Sequence, residues 1–262
     1  MTQELAGKVA IVTGGAGGLG SGIAELAVRE GAKVVIADVD ADQGKEVTAG
    51  LGADAAFKQT DVADADDVQD AVDFAVGEFG GLDIMVNNAG IGGTHRRFLK
   101  DDLRDFERGM AVNLLGVMAG SQRAGRHMAE HGGGVIVNIT SIGGINAGAG
   151  MVVYRAAKAA VIHFTKCIAI DLAEYGIRVN CVAPAHIPTA INTTYDQSAI
   201  VRRMQPLQRI ASPNDVANAV VFLASDRAAQ ITGIVMPVDG GTTAGPPAGD
   251  VRELLAKQGD AE

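Results

Sequence analysis

The stretch TGGAGGLG, residues 13–20, decides the fold: five glycines in eight positions, directly after the apolar run KVAIV at 8–12. Beyond it the spacing predicts a helix from about Gly18 to Glu30, stopped by Gly31, and then a second β-branched run, KVVIAD, at 33–38. Strand, glycine turn, helix and strand make one βαβ unit. Where a strand ends and a helix begins, the helix presents unpaired N–H groups and the positive end of its dipole. Glycines there let the main chain approach a pyrophosphate without Cβ contacts. The run matches G-x-G-x-x-G over Gly15–Gly20 and equally T-G-x-x-x-G-x-G over Thr13–Gly20. Asp38, eighteen residues past Gly20, ends the second run, where a carboxylate accepts from both hydroxyls of an adenosine ribose and repels a 2'-phosphate. Gly15, Ala16, Gly17 and Val39 offer no cation to such a phosphate, so NAD is favoured over NADP.

Working outward, the same alternation continues. Val68, Ala71, Val72, Ala75, Val76 and Phe79 form one helical face, with Asp64 placed as N-cap. The runs LDIMVN (82–87), GVIVNI (134–139), IRVNCV (177–182) and IVMPVDGG (234–241) read as further strands. Helices are expected over Val152–Tyr175 and after the capping sequence SPND at 212–215. About seven strands separated by helices imply a parallel sheet covered on both faces, a Rossmann-like doubly wound α/β fold. We read residues 1–262 as a single domain for cofactor binding and catalysis, without repeat or linker, leaving at the Gly/Pro-rich GTTAGPPAGD (241–250) into a C-terminal extension, 242–262.

Composition excludes several classes. A net charge of −9 and the lack of a basic patch argue against a nucleic-acid partner. No run reaches the roughly 18 apolar residues of a membrane span, and the opening MTQELAGK lacks a leader's apolar core, so a soluble cytoplasmic protein is expected. Two cysteines, Cys167 and Cys181, fit a reducing compartment and are expected to be buried as small hydrophobes. HMAEH at 127–131 resembles the H-x-x-E-H of some zinc proteases. The glycines 132–134 end that helix at once and no third ligand is apparent, so no metal is expected, and cationic histidines suit a helix C-terminus.

VNNAG (86–90), NITS (138–141) and YRAAK (154–158), together with the glycine loop, an Asn in MAVNLLG (110–116), a Ser thirteen residues before the Tyr, and NCVAPAHIPT (180–189), resemble the short-chain dehydrogenase/reductase family over residues 7–241. Ala185 stands where that family usually has glycine. Tyr154 and Lys158 are four apart on the expected helix, so the ammonium reaches the neighbourhood of the phenol. That cation and a positive nicotinamide ring are expected to draw Tyr154 toward working pH as general acid/base. Ser141 would donate to the substrate oxygen.

By resemblance Asn113 completes a tetrad, holding a water that links Lys158 to solvent, while Lys158 touches the nicotinamide ribose. The resemblance also implies cofactor contacts from Gly14, Gly18, Leu19 and Gly20, from Asp38 and Val39, and from Asp61 and Val62 near adenine. Asn88, Ala89 and Gly90 belong to the cofactor loop, with Tyr154, Lys158 and Pro184; Ile187 and Thr189 would position carboxamide and phosphate. His186 beside them is left outside the catalytic set. The resemblance further implies a homotetramer.

The expected activity is NAD-dependent interconversion of a secondary alcohol and a ketone on an apolar molecule such as a sterol, terpenoid, cyclic diol or aliphatic alcohol. Ile91, Ile142, Ile145, Met151, Val152 and Val153 would line the site, and Ile191–Met204 would fold over it. An anionic substrate would need Arg96, Arg97, Arg202 or Arg203. The rivals are an NADPH-linked 3-oxoacyl thioester reductase, opposed by Asp38, and a non-catalytic dinucleotide sensor, opposed by the Ser, Tyr and Lys together.

Overall fold

The computed structural model describes residues 3–185, 187 and 197–248. The run after Lys8 forms β1 (Val9–Thr13), buried at every position, and the glycine turn leads into α1 (Gly18–Arg29) and β2 (Lys33–Asp38). The chain continues through α2 (Ala41–Leu51), β3 (Ala55–Gln59), α3 (Ala65–Phe79) and β4 (Ile84–Asn87). Helices α4 (Phe106–Met110) and α5 (Gly116–Glu130) follow, then β5 (Gly134–Ile139), α6 (Val152–Asp171), β6 (Ile177–Pro184), α7 (Gln197–Met204), α8 (Pro213–Ala224) and β7 (Val235–Val238). The seven strands form one parallel sheet in the order β3-β2-β1-β4-β5-β6-β7.

Alternation along each strand divides the core into two layers. Val12, Val34, Ile36, Val86 and Val137 face α1 and α8, while Ile11, Val35, Met85, Ile136 and Val179 face α3, α5 and α6. Because both faces are covered, the strands read as continuous apolar runs. Each such side chain contributes roughly 1.5–3 kcal/mol by leaving water. The strand order turns back beside β1, whose neighbours are β2 and β4. The crevice outside the carboxyl ends of β1 and β4 is therefore the ligand position of an open α/β sheet.

Asp64 caps α3, accepting from the Asp66 N–H, and Gly80 ends that helix at φ 87°. Before α8 the Asp215 carboxylate accepts from the N–H and hydroxyl of Ser212. Helix α6 stops at Asp171 rather than Tyr175. Its continuation, Ala173–Tyr175, tightens into a 3-10 turn that closes at Gly176, φ 71°.

The expectation for the cysteines holds for Cys181 and fails for Cys167, which is exposed. Val161, Thr165 and Ala169 repeat every four residues along the buried face of α6. Position 167 lies roughly 200° around the helix from 165 and so meets solvent. No described helix is long and apolar enough to cross a membrane.

Candidate active site

At the end of β1 the chain turns through Gly14, φ 63°, into α1. Helix α1 has Gly17 as an extended N-cap, no side-chain cap and no acid in its first turn, so its N–H groups are left to an external acceptor. Gly20 is demanded by close approach: a Cβ there would stand 2.0 Å from the Gly14 carbonyl oxygen. Asp38 ends β2 beside this loop, its carboxylate accepting from Ala16 N–H at 3.0 Å and Asp40 N–H at 3.1 Å. From β4, the Asn88 amide donates to the carbonyls of Thr13 (2.9 Å) and Gly14 (3.1 Å), while Thr13 Oγ1 accepts from the Asn88 and Ala89 N–H groups. Asn88 thus braces the glycine loop through its side chain. This donor-rich, side-chain-poor cradle fits a dinucleotide pyrophosphate, with a carboxylate at its ribose end.

On the adenine side, Val39 is 54% exposed and free to lie against a ring. Val62 is buried with Val68 and Val112 and shapes the floor. Asp61 accepts from Ala63 N–H and pairs with Arg108 of α4 at 3.1 Å; these contacts hold its carboxyl below the usual range despite partial burial. Pro184 ends β6, Ala185 N–H donates to the Val238 carbonyl at 3.2 Å, and Ile187 turns its side chain into the core. Thr189 and His186 lie outside the described residues, as do Ile191–Asp196 of the segment expected to fold over the site.

Ser141, Tyr154, Lys158 and Asn113 come together on the other side of the crevice. Ser141 follows β5, and its Oγ accepts from Gly143 N–H at 3.0 Å, leaving its own proton to donate toward Tyr154 or a substrate oxygen. Tyr154 and Lys158 share one face of α6, the ammonium 5.8 Å from the phenol ring centre. Lys158 is only 3% exposed and donates to the Ile139 carbonyl at 3.0 Å. Asn113 sits in a π-helical turn, Ala111–Leu115. Its Oδ1 accepts from Ile91 N–H at 3.1 Å, and its Nδ2 donates to the Ile91 and Gly109 carbonyls, each at 3.0 Å. Gly90 lies where Asn113 and Lys158 converge: a Cβ on it would stand 3.0 Å from Asn113 Oδ1 and 3.4 Å from Lys158 Nζ.

Burial works against the drop expected for Tyr154: it pushes the phenol up from its ordinary range, while the Ser141 hydrogen bond and the Arg155 charge pull it back. Lys158 is itself driven down by burial, to about 8, so its charge is costly rather than permanent. His127 is likewise pushed down by burial and by the neighbouring His131, against the expected cationic pair; the two rings stack with centroids 4.0 Å apart.

Several contributors went unrecognised in the sequence. Arg155 and Arg108 are two. A third is the buried chain running from Ser121 through Asn87 and Asn138 to Thr165 and Cys181 under the site, with Asn87–Asn138 and Asn138–Thr165 both at 2.8 Å. Asn87 lay inside a quoted motif, but nothing in its spacing marks an inward-facing amide. Among the arginines proposed for an anion, Arg96 is taken by Asp102 at 3.2 Å and Arg202 donates to Ser198 at 3.3 Å.

Residues 14–243 match the family profile described as Enoyl-(Acyl carrier protein) reductase. The chain is 43% identical to (+)-borneol dehydrogenase 2 of Salvia officinalis, covering 92% of this chain and 90% of that one. It is 41% identical to cis-4-hydroxycyclohexanecarboxylate dehydrogenase of Sinomonas cyclohexanicum, over 93% of this chain and all (100%) of that one. Among solved structures, 3-ketoacyl-(acyl-carrier-protein) reductase from Brucella melitensis complexed with NADH superposes with a TM-score of 0.87 at 36% identity, covering 91% and 99% of the two chains. The profile match over most of the chain, these relatives and a fold shared with the Brucella neighbour place the chain in the short-chain dehydrogenase/reductase family.

Proposed function

We propose that the protein is an NAD-dependent dehydrogenase/ketoreductase that interconverts a secondary alcohol and its ketone on a small, mainly apolar, cyclic or terpenoid molecule. The observation that carries this reading is the meeting of Ser141, Tyr154 and Lys158 beside Gly90, across the crevice from the glycine loop. A bound nicotinamide dinucleotide supplies the hydride acceptor or donor. In the oxidative direction Tyr154, as phenolate, would take the alcohol proton as the carbinol carbon gives up its hydrogen, as hydride, to a bound nicotinamide and the C–O bond becomes C=O. Ser141 donates to that oxygen as its charge changes. Lys158, when protonated, would stabilise the phenolate, as would the positive ring of a bound cofactor, both acting against the upward push of burial. Asn113 holds the Ile91–Gly90 turn so that both the ammonium and the cofactor loop keep their places.

Asp38 supports NAD over NADP: its carboxylate stands beside the glycine loop, turned toward Ala16 N–H, and would repel the negative charge of a 2'-phosphate. Ile91 and Ile145, both open to solvent, support an apolar substrate, as do the names of the borneol and hydroxycyclohexanecarboxylate relatives. Reduction of a 3-oxoacyl thioester is the second reading, favoured by the Brucella neighbour alone among these three. Assembly as a homotetramer in the cytoplasm belongs to the first reading. Its support is the exposure of Leu115, Met118 and Ile170 on the outer helices, with Ile170 81% exposed, and sedimentation checks it.

The deciding experiment follows NADH absorbance over a panel of neutral cyclic and terpenoid alcohols, matched hydroxy acids and 3-oxoacyl thioesters, each with NAD and NADP cofactors. The highest kcat/KM is expected for a neutral alcohol with NAD. An advantage for the hydroxy acids would turn attention to Arg97 and Arg203, and turnover of nothing would favour a dinucleotide sensor.

A further inference from the structure

Between Ser141 and α6 the chain reads IGGINAGAG, residues 142–150, with four glycines and no long side chain of its own to brace it. Such a loop loses much conformational freedom when ordered, so something must hold it. The brace comes from the helix that follows. Arg155 Nε donates to the Gly150 carbonyl and Nη1 to the Asn146 carbonyl, each at 3.2 Å. The guanidinium also fills the space inside the loop. A Cβ on Gly148 would lie 2.7 Å from Arg155 Nη2, and one on Gly143 would lie 3.5 Å from Nη1.

Both ends of the loop bear on the reacting groups. Gly143 N–H donates to Ser141 Oγ at 3.0 Å. At the other end Gly150 (φ 76°) and Met151 (φ 50°) are successive left-handed residues, and the second is one that an L side chain adopts at a cost. Arg155 holds the Gly150 carbonyl, and the Thr94 carbonyl accepts from Met151 N–H at 3.3 Å, so this bend is clamped from two sides. Tyr154 is the third residue after it.

We propose that Arg155 is a positioning residue of the active site, the template on which Ile142–Gly150 folds, holding the Ser141 hydroxyl and the first turn of α6 at the spacing the alcohol carbon needs. The inference rests on the alcohol–ketone chemistry assigned above to Ser141 and Tyr154. Arginine suits the task because its planar fork bridges two carbonyls four residues apart, where an ammonium reaches one. Its charge also lowers the Tyr154 phenol, an effect in the same direction.

The test compares Arg155→Met and Arg155→Lys with the unaltered full-length chain by three readouts: amide hydrogen exchange, NADH affinity by fluorescence, and steady-state kinetics on the best alcohol of the panel. In Arg155→Met, exchange over 142–150 is expected to quicken at least tenfold with β5 unchanged. The alcohol kcat/KM should fall about 10- to 100-fold, with KM raised, while the NADH Kd stays within twofold; Arg155→Lys should recover part of both losses. Unchanged exchange over 142–150 overturns the proposal, and so does faster exchange with unchanged kcat/KM. Faster exchange throughout the sheet in both variants overturns it too, because that marks a residue of general stability. Should Tyr154→Phe keep full activity while Arg155→Met loosens the loop, the chemistry assigned to Tyr154 fails and the templating of the loop by Arg155 stands.

Discussion

Two helix N-termini frame the candidate site of this protein, and they are built in opposite ways. Helix α1 offers its main chain: an extended glycine cap, no side-chain cap, no acid in the first turn, and a floor in which a single Cβ at Gly20 would strike the Gly14 carbonyl. Helix α6 also lacks a side-chain cap, yet its opening turns offer side chains, with Tyr154 and Lys158 toward the crevice and Arg155 into the preceding loop. The contrast teaches that a site made of backbone is sensitive to bulk, whereas a site made of side chains is sensitive to chemistry. By contrast α8, with Asp215 accepting from Ser212, answers its own end and leaves nothing for a ligand.

Removing the chemistry of α6 should have the largest effect. Tyr154→Phe is expected to lower kcat about 10²- to 10⁴-fold while NADH affinity is retained, since the proposed role of the phenol is to carry the proton and it adds at most one contact among many to the cofactor. Stopped-flow hydride transfer alongside fluorescence titration separates the two, and near-normal turnover would remove Tyr154 from the mechanism.

Next comes the cost of the buried cation. With its pKa lowered from 10.5 to about 8, Lys158 binds a proton more weakly in the folded than in the unfolded chain. Stability therefore rises with pH between about 8 and 10.5, and the penalty is fully present below 8. Urea unfolding of the unaltered chain and of Lys158→Met should show the unaltered chain gaining roughly 2–4 kcal/mol on the variant across that window. A pH-independent difference would mean that the ammonium is better paired than its Ile139 contact indicates.

Bulk at α1 is expected to act on the cofactor instead. Gly20→Ala forces the loop to shift at a cost of about 1–3 kcal/mol, which should weaken NADH binding about tenfold or more in calorimetry. Retained affinity would show that the loop yields where the geometry says it is tight. Asp38→Ala sharpens the comparison with a smaller expected effect, because here α1's backbone site borrows one side chain. The ratio of kcat/KM with NAD to that with NADP should fall about tenfold, as charge-assisted hydrogen bonds to the ribose are lost. An unaltered ratio would take cofactor choice away from Asp38.

Much of the cofactor side was legible because it depends on near neighbours. β1, the glycine turn, α1 and β2 were read from periodicity within thirty residues, and Asp38 from its distance to Gly20. β3 was not located: its sequence AAFKQ is half-exposed at the sheet edge and lacks both a continuous apolar run and strict alternation. The π-helical turn around Asn113 was equally hidden, since a one-residue widening leaves no mark on hydrophobic spacing. Arg155 lies inside YRAAK, but its role depends on carbonyls of the loop before the helix, which residue spacing does not encode.

The sequence by itself determined the alternation of strands and helices, the covered faces of the apolar runs, the glycine cradle and the four-residue spacing that aligns Tyr154 with Lys158. Each follows from backbone geometry and residue type acting over a few positions. Tertiary structure alone decided the state of those groups. Burial lifts Tyr154 and lowers Lys158; Asn88 braces the loop 74 residues away; Arg108 holds Asp61 across 47 residues. Desolvation and long-range pairing depend on what surrounds an atom, and that environment is assembled from segments whose proximity no local spacing encodes.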